Sequence, residues 1–146
     1  MTKQSAAIPY RIDDRGRITV LLITSRTKHR WIIPKGKVGR AMEPRASAGR
    51  EAFEEAGVMG RLGRVPVGSY RQLAHNAPGD AVSIEVQAFP LEVTDELPVW
   101  LEMEQRERRW FSIEEARQIV QDREISALLE CFVEYLVSSR RSAADA

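Results

Sequence analysis

Short apolar runs separated by turn residues organise the first third of the chain. Residues 5–12 and 17–24 each read as a strand, with a turn signal at Asp13, Asp14, Arg15 and Gly16 between them. Trp31, Ile32 and Ile33 make a brief apolar run that Pro34 stops, and 35–42, with Gly36 and Gly39, reads as a loop. A helix is expected from near Pro44, which suits a first turn because it has no N–H to satisfy. Glu43 adds negative charge at the positive helix end. Gly57 closes the helix, since glycine enters the left-handed conformation without a Cβ clash. Gly49 inside it costs about 1 kcal/mol relative to alanine, which close packing against a neighbouring element would offset.

Beyond Gly57 the pattern returns to strands. Residues 63–71 and 81–93 fit strands, the latter by its alternation, with a turn at 76–80 between them. Residues 106–111 predict another. Ser112 followed by Glu115 resembles a capping box and opens a helix to about Asp122. Ile125, Leu128, Leu129, Phe132, Val133, Leu136 and Val137 then recur at helical spacing across 125–139, a stripe that faces a core. The Ser-, Ala- and Asp-rich residues from about 140 are expected to be a disordered tail. With no repeat or linker, 1–146 reads as one domain large enough to bury a real core.

Polar chemistry gathers in the first helix. Glu51, Glu54 and Glu55 stand at i, i+3 and i+4, so their carboxylates share one face. Alone, such a face repels itself by a few tenths of a kcal/mol, and many clustered glutamates are simply solvated. A divalent cation turns the repulsion into a site, because Mg²⁺ takes oxygen ligands from one or two carboxylates together with substrate phosphates.

The stretch from Gly36 to Val58 closely resembles the signature of the Nudix hydrolases. Gly36 fills the opening glycine position, and Arg50, Glu51, Ala52, Glu54, Glu55, Gly57 and Val58 fill the later ones. Met42 occupies the position of the first glutamate, and Glu43 sits one residue late. The resemblance implies the Nudix fold, an α/β/α sandwich around a mixed β-sheet, and a Mg²⁺- or Mn²⁺-dependent cleavage of a phosphoanhydride. By the same resemblance Glu54 and Glu55 are direct metal ligands, with the Gly36 carbonyl as a further oxygen. Glu51 is ligand or general base, and Arg50 orients the glutamates or serves as a plain salt bridge. A further carboxylate often comes from a downstream loop in this family. Glu102, Glu104 and Glu107 are available, and Glu104 has the favoured spacing, although it reads equally well as a surface charge.

Charge narrows the substrate. The chain carries a net charge of only +1, yet no acidic residue lies between Asp14 and Glu43. That interval holds Arg15, Arg17, Arg26, Lys28, Arg30, Lys35, Lys37 and Arg40. Arg26, Lys35, Lys37 and Arg40 are the candidates for holding phosphate oxygens by guanidinium forks and ammonium groups. The surroundings of Trp31 to Gly36, and Ser112 to Ala116 after Trp110 and Phe111, look like the diphosphoinositol and diadenosine polyphosphate phosphohydrolase branch. The expected partner is therefore a small polyphosphate. An RNA 5′-end pyrophosphohydrolase or another nucleoside diphosphate-X hydrolase is the enzymatic alternative, and a non-catalytic Nudix-fold sensor the alternative of another class. General nucleic-acid binding is disfavoured by the near-neutral charge and the lack of interleaved aromatics. Trp31 reads as core or pocket border, and Trp110 as core. No apolar run approaches the roughly 20 residues that span a bilayer, and no signal-peptide core is visible, so the cytoplasm is the default. Cys131 is the single cysteine, and its apolar neighbours predict a buried thiol.

Overall fold

The computed structural model of the chain describes residues 2–77 and 79–145. In chain order the elements are β1 (Thr2–Ile12), β2 (Ile18–Thr24), β3 (Trp31–Ile32), β4 (Lys35–Lys37), α1 (Pro44–Glu51) and a π-helical turn (Ala52–Ala56). They continue with β5 (Val58–Leu62), β6 (Gly68–Ala77), β7 (Asp80–Glu96), β8 (Arg108–Ser112), α2 (Ile113–Ile119) and α3 (Arg123–Asp145).

β1 is the axis of the sheet. Along one edge it runs parallel to β7, with Thr2 opposite Ile84 and Tyr10 opposite Glu92. Along the other it pairs antiparallel with β4 and then with β2, while β3 and β8 pair with β2, and β5 and β6 with β7. The sheet is mixed, as the family resemblance implies. Pro9 lies inside β1 without breaking it. The Ala7 N–H bonds to the Pro34 carbonyl, and residue 9 faces the same edge, in the gap between the β4 and β2 pairings where no donor is required.

Because successive strand residues point to opposite faces, the sheet builds two cores. Ala6, Ile8, Val20, Leu22, Val86 and Ala88 pack with Ile125, Leu128, Leu129 and Phe132 of α3. Ala7, Leu21, Ile23, Phe89, Leu91 and Val93 pack with Ala48, Ala52 and Ala56 of the carboxylate helix and its π turn. This is the α/β/α sandwich. Gly49 packs close in that second core: a Cβ there would stand 2.8 Å from Leu62 Cδ1 of β5, so the leucine side chain would have to shift.

Several expectations are corrected. Residues 35–37 form a strand rather than part of a loop, held by pairing with Gln4, Ser5 and Ala6. A strand begins at Val58, directly after the helix, and 63–67 link it to β6. Of the expected 76–80 turn, Pro78 lies outside the described residues, and Gly79 takes φ +91°. α3 is helical past the stripe, to Asp145. Cys131 is exposed and does not join Leu128, Leu129 and Phe132 in the core. Trp110 is half-buried. One side packs on the second core, its indole N–H donates to Glu96 at 3.2 Å, and the Arg11 guanidinium lies 4.4 Å from its ring centroid. Among the described residues no helix is long and apolar enough to cross a membrane.

Candidate active site

Pro44 starts α1 after the extended Glu43, whose side chain makes no capping bond, and the helix passes into the π turn after Glu51. Such turns occur often at functional sites. Gly57 ends the turn at φ +66°, in the left-handed region. The three glutamates consequently have unlike surroundings. Glu54 is half-buried and pairs with the exposed Arg50 at 3.2 Å, an i, i+4 contact of the kind that contributes about 0.3–0.5 kcal/mol. Glu55 is 6% exposed. Its Oε1 accepts the Lys35 N–H at 3.2 Å, and its Oε2 lies 3.7 Å from Arg106. Burial, then the hydrogen bond that the protonated Glu55 carboxyl donates to Glu51, holds Glu55 above the usual carboxylate range, with Arg106 pulling the other way. Glu51 stands against Gly36, where any side chain would collide with its carboxyl group.

Met42 completes the outer edge. Its sulfur lies 3.7 Å from the Arg50 guanidinium and 4.0 Å from the Ser47 hydroxyl, so a thioether stands beside Arg50 where the signature places a glutamate. Glu43 is exposed and turned elsewhere.

Beside Glu55 opens a cleft of about 550 Å³. Arg26, Lys28, Arg30, Lys35 and Arg106 line it with Trp31, Ile32, Gln72, Asp122 and Ile125. The Lys35 ammonium donates to Gln4 Oε1 at 3.1 Å, and burial pushes its pKa down against the opposing field of Glu55. Two of the four basic candidates, Arg26 and Lys35, are in this cleft. Lys37 and Arg40 are exposed and do not line it. Trp31 borders the cleft and packs edge-on against Phe111, its ring centroid 5.0 Å away.

Glu104 is not brought to the carboxylate helix. It is exposed and lines a second hollow with Thr24, His29, Met103 and Glu107, which shares only Arg106 with the main cleft. Glu102 is the downstream carboxylate that reaches the site, through Arg106 at 3.0 Å. Arg106 is thus a residue that sequence reasoning missed. Its side chain is 7% exposed and reaches Glu102, Glu55 and the Thr24 carbonyl. Trp100 is another, its indole N–H donating to the Glu55 carbonyl at 3.0 Å. The sequence signal for it is a tryptophan in the loop between β7 and β8.

The donor set suits a hard divalent cation. Glu51 and Glu55 bring their carboxyl groups together beside a glycine whose missing Cβ leaves the room. Among the described residues no group of three His, Cys, Asp or Glu side chains closes into a cage. Two carboxylates with the remaining positions left to substrate oxygens match the way Mg²⁺ is commonly held.

A carboxylate helix and a basic cleft on an α/β/α sandwich define a hydrolase of phosphorylated compounds. Residues 1–129 match the NUDIX domain, and the chain belongs to that family of hydrolases. It is 31% identical to Nudix hydrolase 13, mitochondrial, of Arabidopsis thaliana, over 97% of this chain and 78% of that one. It is 34% identical to diphosphoinositol polyphosphate phosphohydrolase 3-beta of Bos taurus, over 82% and 69%. The C. elegans Ap4A hydrolase structure superposes with a TM-score of 0.67 at 25% identity, covering 93% of this chain and 98% of that one. Members of the family generally need a divalent metal ion.

Proposed function

We propose that this enzyme cleaves a phosphoanhydride bond in a small polyphosphorylated molecule, of the dinucleoside polyphosphate or diphosphoinositol polyphosphate type. The observation that carries the reading is the position of Glu55: it is shared between the carboxylate helix and a cleft with five basic side chains. The names of the Bos taurus and C. elegans relatives support the same substrate types.

Glu51, Glu55 and Glu54 would hold Mg²⁺, with Mn²⁺ as an alternative. When bound, the cation neutralises phosphate oxygens and lowers the pKa of a water. The chain's own groups divide the remaining work. Arg50 engages Glu54 and Arg106 engages Glu55, while Glu51, hydrogen-bonded to Glu55, would serve as ligand or as the base that takes a proton from water. Arg26, Lys28, Arg30 and Lys35 meet the phosphate oxygens, where each further phosphate adds charge for a guanidinium fork. Met42 leaves Arg50 without a second carboxylate partner at that position, so Arg50 is committed to Glu54. The cytoplasm is the compartment we assign to this activity.

The test is product formation, resolved by anion-exchange chromatography, from a panel run with Mg²⁺: a dinucleoside polyphosphate (two nucleotides), an inositol pyrophosphate (phosphate), a nucleoside diphosphate sugar (nucleotide and sugar phosphate) and 5′-triphosphorylated RNA (phosphate or pyrophosphate). Turnover of either of the first two above the others is expected. Turnover of the RNA alone would replace this reading, and tight binding without turnover would make the protein a sensor.

A further inference from the structure

A helix leaves its last four carbonyls without intrahelical partners. In the carboxylate helix the four carbonyls of Glu54, Glu55, Ala56 and Gly57 are all met by one later segment. The Glu102 N–H donates to the Glu54 carbonyl at 3.1 Å, and the Leu97 N–H to that of Gly57 at 2.8 Å. The Trp100 indole N–H donates to the Glu55 carbonyl at 3.0 Å, and Arg108 Nη1 to that of Ala56 at 2.9 Å.

Arg108 ties the segment to itself as well. Its Nη2 donates to the Leu97 carbonyl at 2.6 Å, its Nε lies 3.4 Å from Glu96, and its guanidinium sits 3.8 Å from the Trp100 ring centroid. The signature glycine is part of the same contact. A Cβ on Gly57 would stand 2.7 Å from Arg108 Nη1 and 2.8 Å from Trp100, so glycine is required for close approach as well as for its positive φ.

The segment also grips Glu55 from the other end. Arg106 joins Glu102 to the Glu55 carboxylate, so both the backbone and the side chain of Glu55 are bound to 97–108. A π turn lacks the regular i→i−4 ladder that would otherwise fix such a residue.

We propose that Trp100 and Arg108 are positioning residues: they set the place of Glu55, and with it the metal affinity, by clamping the end of the carboxylate helix. The proposal rests on the reading of Glu55 as a metal-holding carboxylate. It assigns to the segment 97–108 a role through its hydrogen bonds and not through a ligating carboxylate of its own.

Trp100→Phe keeps a ring beneath Arg108 and removes one N–H donor, and Arg108→Lys keeps the charge and removes the fork. Mn²⁺ binding to each folded variant, followed by electron paramagnetic resonance without substrate, is compared with kcat, KM and melting temperature. Groups that orient metal ligands typically change affinity or activity by about 10–100-fold, so Trp100→Phe should weaken Mn²⁺ binding and lower kcat by about tenfold. KM should stay within about twofold, because the cleft residues are untouched. Mn²⁺ binding at the wild-type level in Trp100→Phe overturns the proposal, whatever happens to kcat or melting temperature, and that variant decides alone if Arg108→Lys does not fold. Wild-type protein that binds no Mn²⁺ would overturn the metal reading and this proposal together.

Discussion

The helices on the two faces of the sheet are held in different ways. α3 buries Ile125, Leu128, Leu129, Phe132 and Leu136, large side chains that each contribute about 1.5–3 kcal/mol on full burial. The carboxylate helix buries Ser47, Ala48, Ala52 and Ala56, with Gly49 close against Leu62. It gains little apolar area, approaches the sheet closely, and depends on polar contacts at its C-terminal end. Apolar area is non-directional, whereas hydrogen bonds and close approach fix an orientation. A helix that serves as a wall can be held by the first. One that must place carboxylates needs the second.

That contrast is open to attack at both faces. The largest effect should come from Glu54→Gln or Glu55→Gln, each lowering kcat by at least about a hundredfold through lost charge at the metal, with melting temperature nearly unchanged. Wild-type turnover in either would mean that the helix does not carry the chemistry. On the opposite face Phe132→Ala should destabilise by about 3–5 kcal/mol in denaturant titrations while the folded fraction keeps its kcat. A matching loss of kcat would erase the distinction between wall and site.

Ala52→Leu forces a larger side chain into a fully buried position between helix and sheet. It should cost about 1–3 kcal/mol of stability. Unlike Phe132→Ala, it should also lower kcat per folded molecule, because the displaced helix carries Glu55. Smallest of all is Glu43→Ala. The exposed Glu43 acts only through the helix N-terminus, so about 0.3–1 kcal/mol of stability should go and kcat should hold. A fall in kcat at constant stability would show that Glu43 replaces the glutamate missing at Met42.

The sequence makes some of this legible because the information is local. Ser112 with Glu115, observed with the Glu115 N–H on Ser112 Oγ at 3.1 Å, needs only four residues to be recognised. The stripe of α3 and the hairpin at Asp13 to Gly16 are local in the same sense. Gly36 and Glu51 are recognisable together because the family signature fixes their spacing. β4 was hidden because Lys35, Gly36 and Lys37 carry no strand pattern of their own and owe their state to Gln4, Ser5 and Ala6, about thirty residues away. Arg106 was hidden for a related reason: its partners Glu55 and Thr24 are distant in sequence, and no spacing rule links them. The choice of Glu104 over Glu102 followed spacing, but the turn at 101–105 directs Glu102 toward Arg106 instead.

The central claim is that a divalent cation at Glu51, Glu54 and Glu55 drives phosphoanhydride cleavage. Its most direct test follows nucleotide formation from a dinucleoside polyphosphate and phosphate release from an inositol pyrophosphate, first in excess chelator and then with Mg²⁺ restored in steps. The account predicts no turnover in chelator and saturable recovery with Mg²⁺, absent in Glu55→Gln at the same concentrations. Undiminished turnover in chelator, or full recovery in Glu55→Gln, would contradict it.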